Sequence, residues 1–350
     1  MTETNEYIGL LQQLIRIPSV SGQEKEAADL IQQFLEDRGC CVHRHIDNLW
    51  IESESPSPDK PTLLLNAHID TVKPSAGYTF DPYCGALQDG KILGLGSNDD
   101  GGSLVSLMQT WFCLTSRKQP YRLVFSATAQ EENSGADGFD AVKGEWGEVR
   151  LGIIGEPTGM KMAVAEKGLL VLDCTATGVT GHAAREGGVN AIYQAIKDIE
   201  WFRNYRFPLV SEFLGPVRMS VTMIEAGTQH NVIPDSCRFT VDIRTNGEYS
   251  NARILDTVQK NVSCEVKPRS MRNNSSSIST SNPAVLRGRE LGLEAFGSPT
   301  ASNSIRCDFP TLKIGPGMSE RSHTADEFIL VSEIEEAVEI YCKLLDQLEI

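Results

Sequence analysis

"LLLNAHIDTV", residues 63–72, decides how this chain folds. An apolar run of strand length ends in a histidine and an aspartate two residues apart. Both side chains are costly in a core unless something satisfies them. Three further runs, "RLVFSATA" (122–129), "LGIIG" (151–155) and "TLKIG" (311–315), read the same way, each bounded by turn or helix signals. Strands alternating with helical segments predict an α/β domain, a mixed sheet flanked by helices. Tyr7, Leu10, Leu11, Leu14 and Ile15 keep helical spacing and predict an opening amphipathic helix. "SGQE" (21–24) fits a capping box, with Ser21 as N-cap and Glu24 reaching back; its helix carries Leu30, Ile31, Phe34 and Leu35 and stops at Gly39. "ESESPSPDKP" (52–61) reads as an exposed loop.

The middle of the chain changes pattern. "GLLVLDCTATG" is a strand, "NAIYQAIKDIEWFRNY" a helix, "VRMSVTMIEAG" and "SCRFTVDIRTN" two strands, "NARILDTVQKNV" a second helix and "CEVKPRS" a last strand. That β-α-β-β-α-β order is ferredoxin-like. The polar stretch "RNNSSSISTSNP" (272–283) reads as a hinge back into the first domain. The expected organisation is a catalytic domain in two pieces, 1–167 and 282–350, interrupted by a ferredoxin-like lid and dimerisation domain over 168–281.

Bulk properties narrow the function. The chain has 350 residues, 40% of them apolar and 23% charged, a globular composition for about two domains. A net charge of −15 repels phosphate backbones, so no nucleic-acid partner is expected. No run approaches the roughly 20 apolar residues of a membrane span, and "MTETNEYIGL" lacks a basic n-region, so no membrane and a cytoplasmic location are expected. The nine scattered cysteines show no CxxC spacing and read as reduced thiols.

Acids and imidazoles recur at the ends of the strand runs: His68 and Asp70 after the first, Glu131 and Glu132 after the second, Glu156 after the third, and His323 a short loop after "TLKIG". In open α/β sheets ligands gather outside the carboxyl ends of the strands, so this pattern suggests a metal site. "GLGSNDDGG" (94–102) adds Asp99 and Asp100 ahead of an apolar helix. The loop has no lysine followed by Ser or Thr, so it is a poor phosphate loop.

The stretches "HIDTV", "GLGSNDDGG", "AQEENSGADG", "GEPT", "GVTGHAA", "NVIPDSC" and "SHTADEF", in this order and spacing, resemble the co-catalytic zinc metallohydrolases that include acetylornithine deacetylase, succinyl-diaminopimelate desuccinylase, aminoacylase and carboxypeptidase G. The resemblance spans essentially the whole chain. It implies His68, Asp99, Glu132, Glu156 and His323 as ligands of two divalent ions, most simply zinc, with cobalt or manganese as substitutes. Asp99 would bridge them, and the Asp99–Asp100 peptide would be cis. Three carboxylates and a shared hydroxide carry four negative charges, which two dications balance.

Asp70, on the same side as His68, would hold the imidazole nitrogen that the metal does not use. Glu131 would be the general base. His182, reaching across from the partner in a homodimer, would donate to the oxyanion; Asn231 and Arg244 would hold substrate, the latter by its bidentate fork. The family often has lysine where this chain has Gly101. "RSHTADEF" resembles the deacylase branch acting on ornithine-like amino acids, so the implied activity is removal of an acetyl or succinyl group from an ornithine- or citrulline-like amino acid in arginine biosynthesis. A dipeptidase or aminoacylase of the same family is the alternative, and an inactive binding protein on this fold the alternative of another class. His43 and His45 are expected on a solvent-facing strand surface, and Ser322 beside His323 is not a triad.

Overall fold

Seven consecutive residues, Thr62–His68, form a strand buried along its whole length. Burial on both faces is what parallel strands covered by helices require. In the computed structural model, which describes residues 3–53 and 60–350, this strand lies between Arg122–Thr128 and Val149–Ile154, parallel to both. Thr311–Lys313 adds a further parallel neighbour to Val149–Ile154, and Met162–Glu166 follows antiparallel. At the other end, Asn48–Glu52 pairs antiparallel with Arg122–Thr128 and forms a hairpin with His43–His45. His43 and His45 are exposed there, and His43 stacks on Trp50 with ring centroids 5.3 Å apart. Residues 54–59 of the expected loop lie outside the described residues.

The chain divides into two compact units. Met1–Val164, Ser277–Phe296 and Ser302–Ile350 make the first; Ala165–Ser276 and Gly297–Ala301 make the second. The excursion at 297–301 was not part of the sequence division into 1–167, 168–281 and 282–350. In the first unit the helix Gly102–Thr115 packs against the sheet strand Thr62–His68 and against the helices Glu3–Ile15 and Val331–Leu345. It is buried nearly all round, so its hydroxyls turn inward: Ser106 and Thr110 donate to the carbonyls of Gly102 and Ser106 at 2.7 and 2.8 Å.

The second helix differs from its expected cap. It runs Lys25–Glu36 and no side chain caps it. Ser21 Oγ instead donates to Asp70 at 2.7 Å, and Glu24 accepts from the backbone N–H groups of Gly22 and Gln130. A capping box satisfies free helix donors; here the same residues hold the loops at the site.

The second unit is an antiparallel sheet in the order Arg218–Ala226, Ser236–Arg244, Leu169–Thr177, Glu265–Pro268. Alternation along Leu169–Thr177 and Ser236–Arg244 buries Leu170, Leu172, Cys174, Phe239, Val241 and Ile243 on one face. That face packs with Phe202 of helix Ala191–Asn204 and with Ile254 and Val258 of helix Asn251–Asn261. Asn190 and Ser250 cap the two helices through their side-chain oxygens.

The central strand of the first unit is the least replaceable piece of core. Leu65→Ala, at a fully buried position, is expected to cost about 2–5 kcal/mol and to lower the thermal midpoint of unfolding. A wild-type midpoint for that variant would contradict a strand enclosed on both faces.

Candidate metal centre

The strand ends bring the acidic residues together. His68 closes its strand opposite Thr128 in the neighbouring one, two residues before the turn that carries Gln130, Glu131 and Glu132. Asn66 aligns with Ile154, so Glu156 leaves the next strand at the same level. The loop before helix Gly102–Thr115 supplies Asp99, and its peptide to Asp100 is cis. Each strand thus delivers its polar residue at the end where its backbone leaves the sheet.

The result is a tight cluster. Ligand atoms of His68, Glu131 and Glu156 lie within 4.8 Å of one another, as do those of His68, Asp99 and Glu132. His68 Nε2 is 3.1 Å from Asp99 Oδ1; His323 Nε2 is 3.0 Å from Glu132 Oε1 and 3.6 Å from Asp99 Oδ2. All five residues expected to bind metal therefore converge, and Glu131 sits among them. Mixed imidazole and carboxylate donors at this spacing fit two divalent cations. Like charges this close repel by roughly 4 kcal/mol per pair at 4 Å and an effective dielectric near 20, so the donor set calls for positive charge. Part of it is built in: the buried Lys313 Nζ is 3.6 Å from Glu156 Oε2. The sequence reading missed this lysine, although a cation inside the apolar run "TLKIG" was a signal for a buried partner.

Asp70 stands at His68 Nδ1 with two groups. Its own backbone carbonyl, 2.9 Å from His68 Nδ1, is the closer partner of the imidazole, while its carboxylate oxygen is 3.5 Å away. A carbonyl can only accept, so Nδ1 carries a proton and Nε2 is the nitrogen turned to the cluster, the one a metal ion would take. The carboxylate also accepts from the backbone N–H groups of Glu131 and Glu132 at 3.0 and 3.1 Å, and from Ser21 Oγ. It fixes the turn that presents both glutamates.

Electrostatics follow from burial. The Glu131 carboxyl is pushed up to about 8, by burial first and then by Glu132, Asp70 and Asp99, against the pull of His68. Burial likewise raises Asp100 to about 7 and Glu327 to about 8, and holds Glu156 well above the carboxylate range despite Lys313. Burial pulls His68 down, but Asp70 and Asp99 outweigh it and hold the imidazole well above its ordinary value. The hydrogen bond to Glu132 raises His323 to about 9.

Gly101, where the family often has lysine, has no room for a side chain. A Cβ there would meet Gly96 O at 2.4 Å and Leu11 Cδ1 at 2.5 Å. The opening helix occupies the space.

The remaining candidates lie in the second unit. His182 is exposed, on a two-residue strand paired with Val232–Ile233, and its Nδ1 accepts from Ala184 N at 3.1 Å. That bond puts the ring proton on Nε2, making the outer nitrogen a donor. Asn231 is exposed nearby, its carbonyl accepting from Ala183 N at 3.0 Å. The fork of Arg244 rests on Asp242, at 2.8 and 3.1 Å.

Comparison with known proteins agrees with this architecture. Residues 164–269 match the family model described as peptidase dimerisation domain, and residues 48–148 match peptidase family M28. Succinyl-diaminopimelate desuccinylase 2 of Ruegeria sp. is 27% identical over 72% of this chain and 68% of its own length. The succinyl-diaminopimelate desuccinylase of Cereibacter sphaeroides is 26% identical over 97% of both chains. Among solved structures, aminopeptidase PepT from Bacillus cereus superposes with a TM-score of 0.78 at 21% identity, covering 99% of this chain and 98% of that one. The Bacillus subtilis YXEP protein, described as a dinuclear metal binding peptidase from the M20 family, gives 0.75 at 17%, covering 99% of each. Among the described residues no helix is long and apolar enough to cross a membrane.

The raised groups set a pH dependence. Glu131, Asp100, Glu327 and His323 all hold protons in the folded metal-free chain that the unfolded chain releases at lower pH. Stability of the metal-free protein therefore falls as pH rises from the ordinary carboxylate range through about 9. Divalent ions take over the role of those protons. The gain in thermal midpoint on adding zinc to chelator-stripped protein is expected to widen between roughly pH 5.5 and 8.5. A gain that stays constant or shrinks would contradict the assignment.

Proposed function

We propose that this chain, which belongs to the co-catalytic metallohydrolases and is a hydrolase of amide bonds, removes the N-acyl group from an amino acid with two metal ions at the cluster around Asp99. The single observation that carries this reading is the convergence of His68, Asp99, Glu131, Glu132, Glu156 and His323 at the strand ends. Zinc suits the two imidazoles and three carboxylates among the ligands. When bound, such a pair polarises the scissile carbonyl and eases deprotonation of water.

The protein's own groups do the rest. Glu131 stands among the ligands, where its carboxylate can take a proton from water and pass it to the leaving amine. The Asp70 carboxylate keeps Glu131 and Glu132 in place through their backbone N–H groups. His182, with its outer nitrogen a donor, supplies a hydrogen bond to the developing oxyanion from the partner subunit of a homodimer. Support for dimerisation comes from the matched dimerisation model and from exposed apolar side chains in the second unit, with Tyr193 66% and Met223 63% exposed. Met223 lies on Arg218–Ala226, which ends its sheet and, among the described residues, has one edge without a partner strand. Asn231 and Arg244 are the groups assigned to substrate, and Arg244 would exchange Asp242 for a substrate carboxylate.

The acyl group is acetyl or succinyl, and the named relatives favour succinyl. The side chain is ornithine- or citrulline-like on the strength of "RSHTADEF", which would set the enzyme in arginine biosynthesis. The relatives named for diaminopimelate give that assignment no support and make N-succinyl-diaminopimelate the rival substrate.

Zinc-loaded protein is expected to release succinate or acetate from N-acyl-ornithine or N-acyl-citrulline faster than it releases amino acids from dipeptides. The reverse order would make it a dipeptidase. Glu131→Gln is expected to keep its metal content and lose about 10²–10⁴-fold in kcat; an unchanged kcat would remove Glu131 as base.

A further inference from the structure

Asn98 and Glu327, 0% and 1% exposed, are among the enclosed polar residues that the mechanism leaves unused. Both tie together the two irregular loops that feed the centre. One loop, ahead of helix Gly102–Thr115, carries Asp99; the other, after Thr311–Lys313, carries His323.

Asn98 uses both ends of its amide on the second loop. Its Oδ1 accepts from Met318 N at 2.9 Å, and its Nδ2 donates to Met318 O at 3.1 Å and to Ser322 Oγ at 3.2 Å. The fit is close enough that a Cβ on Gly317, at φ 80°, would meet Asn98 Oδ1 at 2.3 Å. Glu327 answers from the other side. Its Oε1 accepts from the backbone N–H groups of Asn98 and Asp99 at 2.9 and 3.0 Å, and its own carbonyl accepts from Gly94 N at 3.0 Å. Next to it, the Asp326 carboxylate accepts from Thr79 N and Oγ1 at 2.7 and 3.0 Å. His323 and Asp326 both sit at φ 58°, a left-handed conformation that non-glycine residues keep only when their surroundings hold it.

The two halves of the centre are therefore held by different means. His68 and Glu156 come directly off sheet strands locked by ladder hydrogen bonds. His323 is 53% exposed at its side chain and stands on a loop whose position depends on the bonds to Asn98, Glu327 and Asp326. We infer that Asn98 and Glu327 are positioning residues that set the affinity of the ion position served by His323 and Glu132, through the backbone and without touching an ion. This rests on the proposed dinuclear function. It assigns to these residues the difference between one ion bound and two.

The test counts metal. Chelator-stripped wild-type protein, Asn98→Ala, Glu327→Ala and Glu327→Gln are titrated with zinc by calorimetry, and bound zinc is measured after dialysis. Wild type is expected to bind two ions per chain; none bound would sink the functional reading itself, whatever the variants do. Asn98→Ala and Glu327→Ala are expected to keep one ion near wild-type affinity and to weaken the second by about 10–100-fold. Glu327→Gln retains a carbonyl oxygen for the two N–H groups and is expected to stay close to wild type at both positions. Two ions at unchanged affinity in both alanine variants would overturn the inference. Equal loss of both ions in a variant with a wild-type circular dichroism spectrum would overturn it too, because the clamp would then serve the whole centre rather than one position.

Discussion

Everything distinctive in this structure depends on concentrated negative charge at the carboxyl ends of a parallel sheet. Asp99, Glu131, Glu132 and Glu156 crowd around one buried imidazole, with Asp70, Asp100 and Glu327 enclosed behind them. Carboxylates removed from water are stable only with positive charge or donors close by. Lys313 answers Glu156, and backbone N–H groups answer Asp70 and Glu327. The remaining negative charge faces the space between His68 and His323, where a pair of dications restores balance.

The scaffold explains how such a site is tolerated. The strand Thr62–His68 and helix Gly102–Thr115 are buried nearly throughout, which gives a rigid base for the strain of the loops. Polar residues within that base are satisfied: Asn66 Nδ2 donates to Thr128 Oγ1 at 3.0 Å and its Oδ1 accepts from Asn303 at 3.1 Å. Asn303 comes from the segment 302–310, which carried no readable message in the sequence. Its place in the structure is behind the sheet end, supporting the strands that carry the ligands.

What was legible in the sequence had local causes. Apolar runs closed by an acid or histidine placed the cluster, because a strand end is where a side chain leaves the core. Alternation and helical spacing gave the succession of strands and helices in the second unit. What was misread depended on contacts between distant residues. "SGQE" has the form of a cap, yet Ser21 and Glu24 are drawn to Asp70 and Gln130. Asp70 has the form of a histidine partner and meets His68 at 3.5 Å, but its second task, accepting from backbone 61 residues away, has no sign in the sequence. Glu327 looks ordinary in one dimension, and only its burial shows that it must have a partner.

Crystals grown with zinc and measured on both sides of the zinc absorption edge test the central claim most directly. Two anomalous peaks about 3.5–4 Å apart are expected, one beside His68 and Glu156, the other beside Glu132 and His323, with Asp99 between them. Crystals of active protein with no peak at these residues would contradict it.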